Sequence, residues 1–111
     1  MPEDDKKRAA FLALANRVRG GAGRAPAEQR ARAFSNDGLP LPLGTLTGKV
    51  ATSPVQVTDA DFAAAKAAGY SEDELFELVV CAAVGQSARL YEAGLAALAE
   101  ASRVLGPDDA A

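Results

Sequence analysis

The sequence contains no histidine. That excludes Ser-His-Asp triads, Cys-His pairs and histidine-ligated metal sites. It also removes the side chain best suited to proton transfer near neutral pH. A single cysteine, Cys81, leaves no intrachain disulfide and no CxxC pair. Tryptophan is absent and aromatics make up 5% of the chain, although 49% of it is hydrophobic, much of that alanine. A core of such small side chains favours helices that approach closely. No stretch approaches 18 consecutive apolar residues, so no membrane span is expected. The start, "MPEDDKKRAA", lacks the apolar run of a signal peptide, which sets a cytoplasmic expectation. The glycines of "GGAGRAP" (20–26) have neither the spacing of a Walker A or dinucleotide fingerprint nor a strand before them. No cofactor and no metal site are therefore expected.

What is present is charge asymmetry and helical punctuation. Residues 1–32 carry 8 basic and 4 acidic side chains, whereas residues 33–111 carry 4 basic and 11 acidic ones. The basic set is Lys6, Lys7, Arg8, Arg17, Arg19, Arg24, Arg30 and Arg32. It offers an anionic partner a surface, and binding would then fade with salt. The overall charge of −3 opposes polyanion binding. Solvated helices lying against the acidic half are the simpler reading, and nucleic acid is disfavoured as a partner.

Length bounds the chain to one domain with one core. Residues 3–19 read as a helix with Glu3, Asp4 and Asp5 at its start and Arg17 and Arg19 at its end, as the macrodipole favours. Phe11, Leu14, Ala15 and Val18 form one apolar face, and Gly20 and Gly21 stop the helix. Pro26 opens a short, weakly amphipathic second helix through about Phe34, read as mobile. "SNDGLPLPLG" is a turn and Pro-constrained loop. Residues 44–52 form a short helix ending before Pro54. Thr58 with Asp61, and Ser71 with Glu74, are capping pairs that start two further helices 13 residues apart. The first runs over 59–68 and is closed by Gly69. The second begins near Glu72, and Gly106-Pro107 ends it.

Along that last helix Phe76, Val79, Val80, Ala83, Ser87, Leu90, Gly94, Ala97, Leu98 and Ala101 keep helical spacing. Leu75, Leu78 and Val84 fall off the stripe, so residues 75–84 are expected to be buried nearly all round. Gly85 is the expected kink. No alternating run supports a strand. The class is all-α: a helical hairpin, about 59–68 and 72–104, preceded by shorter N-terminal helices. One domain is expected over 1–108, with a disordered tail at 109–111.

"VTDADFAAAKAAGYSEDELFELVVCAAVGQSARLYEAGLAAL" (57–98) resembles the AhpD-like family, which includes alkyl hydroperoxide reductase D and the carboxymuconolactone decarboxylases. The shared frame is a helix ending A-x-x-A-G, a turn S-x-[DE]-E, and a long helix beginning [IL]-F-E-L-V. Ala65–Gly69, Ser71–Glu74 and Leu75–Val79 carry it. The resemblance is strongest over 45–101 and absent from 1–44. It implies an AhpD-like helical domain from a bacterium, assembling with itself or with a related chain. The family's redox members carry C-x-x-C-x-x-x-H before that Gly. Counted back from Gly69, those positions are Pro54, Val57 and Asp61. The relay Glu falls at Pro42, with Glu28 the nearest upstream acid. None matches, and neither Val57 nor Pro54 supplies a thiol. Pro54 places the start of the shortened helix at Thr58. The decarboxylases' usual His is missing too. The resemblance thus implies a pseudoenzyme that works by self-association or by binding a partner. The alternative is an antioxidant or decarboxylase-type enzyme with a non-standard site near Cys81 and Arg89.

For that alternative the candidate catalytic residues are Glu77, Cys81 and Arg89, which with Gly85 recur every four residues. Arg89 would attract an anion and Gly85 would leave room for one. Cys81 and Arg89 are about 12 Å apart along a helix axis, too far for direct activation. Glu77 would raise a thiol pKa. The competing reading makes Cys81 a small core residue, Gly85 a packing contact and Arg89 the partner of a nearby acid. Glu72, Asp73, Glu74 and Glu77 then serve capping and the dipole, and Tyr70 and Tyr91 pack.

Overall fold

The computed structural model describes residues 2–110, with side chains described for residue 3 and residues 5–105. Five α-helices follow one another: α1 (Pro2–Gly20), α2 (Ala27–Ser35), α3 (Leu43–Thr52), α4 (Asp59–Ala67) and α5 (Glu72–Ala110), with a 3-10 turn at Pro54–Gln56 between α3 and α4. No strand occurs among the described residues. The chain is all-α, and α4 and α5 form the expected hairpin.

The local signals explain most boundaries. Thr58 accepts from the Asp61 N–H while the Asp61 carboxylate accepts from the Thr58 N–H, a reciprocal capping box. Ser71 and Glu74 repeat the arrangement at the start of α5. Between them Gly69 takes φ +107°, the backbone that lets the chain reverse in so few residues. The 3-10 turn begins at Pro54, and α4 starts only after Thr58. Asp61 also takes two 3.0 Å bonds from Lys49 on α3, which ties the hairpin to the helix before it.

The core is one cluster built by every helix from α2 onward. Leu43 and Leu46 of α3, Ala33 of α2, Ala65 of α4, and Leu75, Leu78 and Cys81 of α5 are fully or nearly fully buried. Val18 of α1, Phe34 and Tyr70 close its edges. Each buried leucine contributes about 2 kcal/mol by removal from water. α1 runs antiparallel to α5: Arg8 pairs with Glu92 and Phe11 stacks on Tyr91 at 5.0 Å, while the Val18 carbonyl meets Cys81.

Four expectations are corrected. α2 is not a mobile accessory but a central element: Ala33 is fully buried and Phe34 touches α5 directly. α5 is helical without interruption through Gly85 and past Gly106-Pro107 to Ala110. Leu14 faces solvent; only Ala15 of the expected α1 face is fully covered. Residues 75–84 are not buried all round, because Phe76 is 70% exposed and Ala83 is exposed. The Asp4 side chain of the expected acidic start, and Ala111 of the expected tail, lie outside the described residues.

Candidate functional site

Glu77, Cys81, Gly85 and Arg89 do fall on one face of α5, and all four meet the main chain of residues 18–34. The Glu77 carboxylate accepts the backbone N–H groups of Arg24 and Ala25 at 2.8 and 2.5 Å. The Cys81 thiol donates to the Val18 carbonyl at 3.4 Å. A Cβ at Gly85 would overlap the backbone of Phe34, so only glycine lets α2 approach this closely. Arg89 donates from Nη1 to the Phe34 carbonyl at 2.6 Å, and from Nε and Nη2 to Gln86. That carbonyl belongs to the last turn of α2, where a cation suits the helix end. Arg89 therefore binds a helix terminus, not the nearby acid expected from sequence. Glu92, the closest acid in sequence, is taken by Arg8.

A fifth residue completes the arrangement, and sequence reasoning placed it among the solvated basic residues. Arg30 of α2 is only 6% exposed. It donates from Nε to the Ala25 carbonyl at 3.1 Å and from Nη1 to the Val18 carbonyl at 3.4 Å. No periodicity marks it. Only the docking of α2 at the centre of the fold reveals that its charge must lie beneath the connector. Arg30 and Glu77 line one cavity of about 160 Å³ with Arg17, Val18 and Phe76 among its walls.

The electrostatics follow from these partners. The Ala25 and Arg24 amides hold the Glu77 carboxyl below the usual carboxylate range, against its partial desolvation, with Arg30 and Arg24 adding to the effect. Burial pushes the Cys81 thiol above its ordinary value; Arg30 opposes that and Glu77 reinforces it. Cys81 is 1% exposed. A protonated, covered thiol is a poor nucleophile. The remaining carboxylates of the helix start are also committed. Glu72 pairs with Lys66, Asp73 with Arg24 at 3.3 Å, and Glu74 caps α5. No group of three metal-ligating acids, cysteines or histidines occurs among the described residues. Glu77 departs from its expected capping role, because it holds the 20–26 connector rather than its own helix.

Part of the basic segment is similarly occupied. Arg8, Arg24 and Arg32 pair with Glu92, Asp73 and Glu28. Arg19 lies over the Phe34 ring at 4.8 Å. Pro54 starts the 3-10 turn, and Val57 packs against the core.

A second feature lies on the other side of α5. Phe76, Leu90, Leu98 and Leu105 are 70, 63, 65 and 53% exposed. A groove of about 280 Å³ opens beside the first of them, walled by Phe62 and Lys66 of α4 and by Leu75 and Val79 of α5. No helix among the described residues is long and apolar enough to cross a membrane. No family model, curated protein or solved structure matches this chain.

Proposed function

We propose that this chain is a catalytically degenerate AhpD-like helical domain that works by association, with a second copy of itself or with a related chain. The carrying observation is the apolar face of α5 that the chain's own helices leave uncovered, from Phe76 to Leu105. A surface of this kind on a small protein marks an interaction site. The capped α4–α5 hairpin supports the AhpD-like part of the reading, because its caps and Gly turn fall where the resemblance places them. The non-catalytic part rests on Glu77, Cys81 and Arg89, which are bound to main chain and, for Arg89, also to the Gln86 side chain.

The test is sedimentation velocity on the wild-type chain and on the double variant Leu90→Glu, Leu98→Glu, with Cys81 alkylation followed on the same samples. The wild type is expected to associate with rising concentration, the variant to stay monomeric, and Cys81 to react only on unfolding. A wild type that sediments as a monomer throughout removes the self-association reading. Fast native alkylation that titrates below a free thiol's value of about 8.5 puts the enzyme reading first.

A further inference from the structure

The uncovered face of α5 has a pattern that specifies its occupant. At 100° per residue, Phe76, Val80, Ala83, Ser87, Leu90, Gly94, Leu98, Ala101 and Leu105 lie within one stripe. The stripe holds no charged residue between Phe76 and Leu105. It faces away from the core side of the helix, where Leu75, Leu78 and Ala82 lie. Its edge borders α1: Phe76 and half-buried Val80 line a cavity with Arg17 and Val18, and Tyr91 next to that edge stacks on Phe11.

Laid against itself antiparallel, the stripe sets Leu98 and Val80 on alanines, while Leu90 meets its own copy at the axis. With the two-fold axis between residues 90 and 91, Ala83 faces Leu98, Val80 faces Ala101, and Ser87 faces Gly94. Phe76 then faces Leu105, and at that end the groove walled by Phe62, Leu75 and Val79 provides the room. A parallel pairing does the opposite. It sets Phe76 on Phe76 and Leu98 on Leu98, with Gly94 on Gly94 between them. It also brings together two copies of the acidic first turn, Glu72, Asp73 and Glu74. The antiparallel pair separates those turns and sets each helix dipole against its opposite.

We propose that two copies of this chain pair antiparallel along the outer stripe of α5, each copy's C-terminal arm lying over the partner's groove between α4 and α5. This rests on the association reading above and adds to it the occupant, orientation and register. The stripe is about 44 Å long at 1.5 Å per residue. A strip of one helix width offers about 500 Å² per copy, and the groove walls add to it. That total lies at the low end for specific interfaces.

Disulfide mapping in the full-length chain tests the geometry, with Cys81→Ala removing the native thiol. Ala83→Cys and Leu98→Cys both replace exposed residues and leave the core intact, and circular dichroism checks each fold. Mild oxidation is expected to link an 83 variant to a 98 variant when the two are mixed. Neither should link to itself, because like positions lie about 22 Å apart along the axis. Leu90→Cys, beside the two-fold axis, should link to itself. Linkage of 83 to 83 overturns the proposal in favour of a parallel pair. A sedimenting dimer without the 83–98 link overturns register and orientation but leaves association standing. A chain that stays monomeric up to about 1 mM, where even a weak specific dimer would form, overturns both self-association and this geometry.

Discussion

The two halves of α5 are one continuous helix with opposite surroundings. From Glu72 to Arg89 it is gripped from several sides. Leu75, Leu78, Cys81 and Ala82 are in the core, while Glu77, Gly85 and Arg89 hold the N-terminal segment. Beyond Leu90 the helix meets α1 at Tyr91 and Glu92, and the residues from 96 to 105 are all exposed. That arm is helical for different reasons. It is rich in alanine, the best helix former, and Glu100 pairs with Arg103 one turn on. Tertiary packing thus fixes the first half, whereas intrinsic propensity and an unbroken backbone carry the second. Side chains in the second half are left available for contacts outside the chain.

The sharpest way to break the contrast is one substitution made in both halves. Gly85→Ala pushes a methyl into the Phe34 backbone. Neither that carbonyl nor α2 can shift without opening the core, so the expected loss is roughly 4 kcal/mol or more. Denaturant unfolding would show it as a collapsed midpoint. Gly94→Ala meets nothing within 4 Å. Measured at a dilution where the chain is monomeric, it should stabilise by about 0.5–1 kcal/mol through helix propensity. Equal effects at the two positions would erase the distinction between the halves.

A leucine pair gives the next largest difference. Leu78→Ala removes a fully buried side chain and should cost about 3 kcal/mol. Leu98→Ala alters an exposed one and should leave monomer stability within about 0.5 kcal/mol, while weakening association about tenfold or more if the stripe is an interface. A monomer destabilised as much by the second change as by the first would mean that the arm packs on the body.

These contrasts also show what the sequence alone could and could not reveal. Caps are local, so Thr58/Asp61 and Ser71/Glu74 identified the starts of α4 and α5 correctly. Helical spacing is local too, and it found the stripe from Phe76 to Ala101. Which of two apolar faces meets the core is not local, and the outer stripe was read as buried because both faces are apolar over 75–84. The i, i+4 series Glu77, Cys81, Gly85 and Arg89 was legible as a series. Its role was not, since its partners are backbone groups 51 to 63 residues away and main-chain atoms leave no mark in composition. Arg30 was missed for a related reason: nothing nearby in sequence distinguishes it from its exposed neighbours.

The smallest expected effect is on pH dependence, and it concerns the gripped half. The folded-state pKa of Glu77 is held below its unfolded value. It therefore contributes stability that is present above about pH 4.3, the ordinary Glu value, and is lost as pH falls through the folded value. Asp61 and Glu72 shift in the same direction through Thr58 and Lys49, and through Lys66. Glu77→Gln should cost roughly 1–2 kcal/mol at pH 7 by removing a charge-assisted acceptor. The gap between variant and wild type should narrow in acid. A gap that stays constant from neutral pH into strong acid would mean that the carboxylate's charge is immaterial to holding the connector.

The grip on residues 18–34 has a consequence for how this segment tolerates change. α5 takes hold of it through the amides of Arg24 and Ala25 and the carbonyls of Val18 and Phe34, atoms that every residue but proline supplies in the same form. The path of the segment is thereby specified independently of much of its spelling. Exchanging the Arg24 side chain leaves the donor to Glu77 in place, whereas proline at 24 or 25 deletes it outright. Substitution records at exposed positions such as Arg24 should therefore look permissive to side-chain identity and intolerant of proline, in contrast to the buried Ala25, Arg30 and Ala33 of the same stretch.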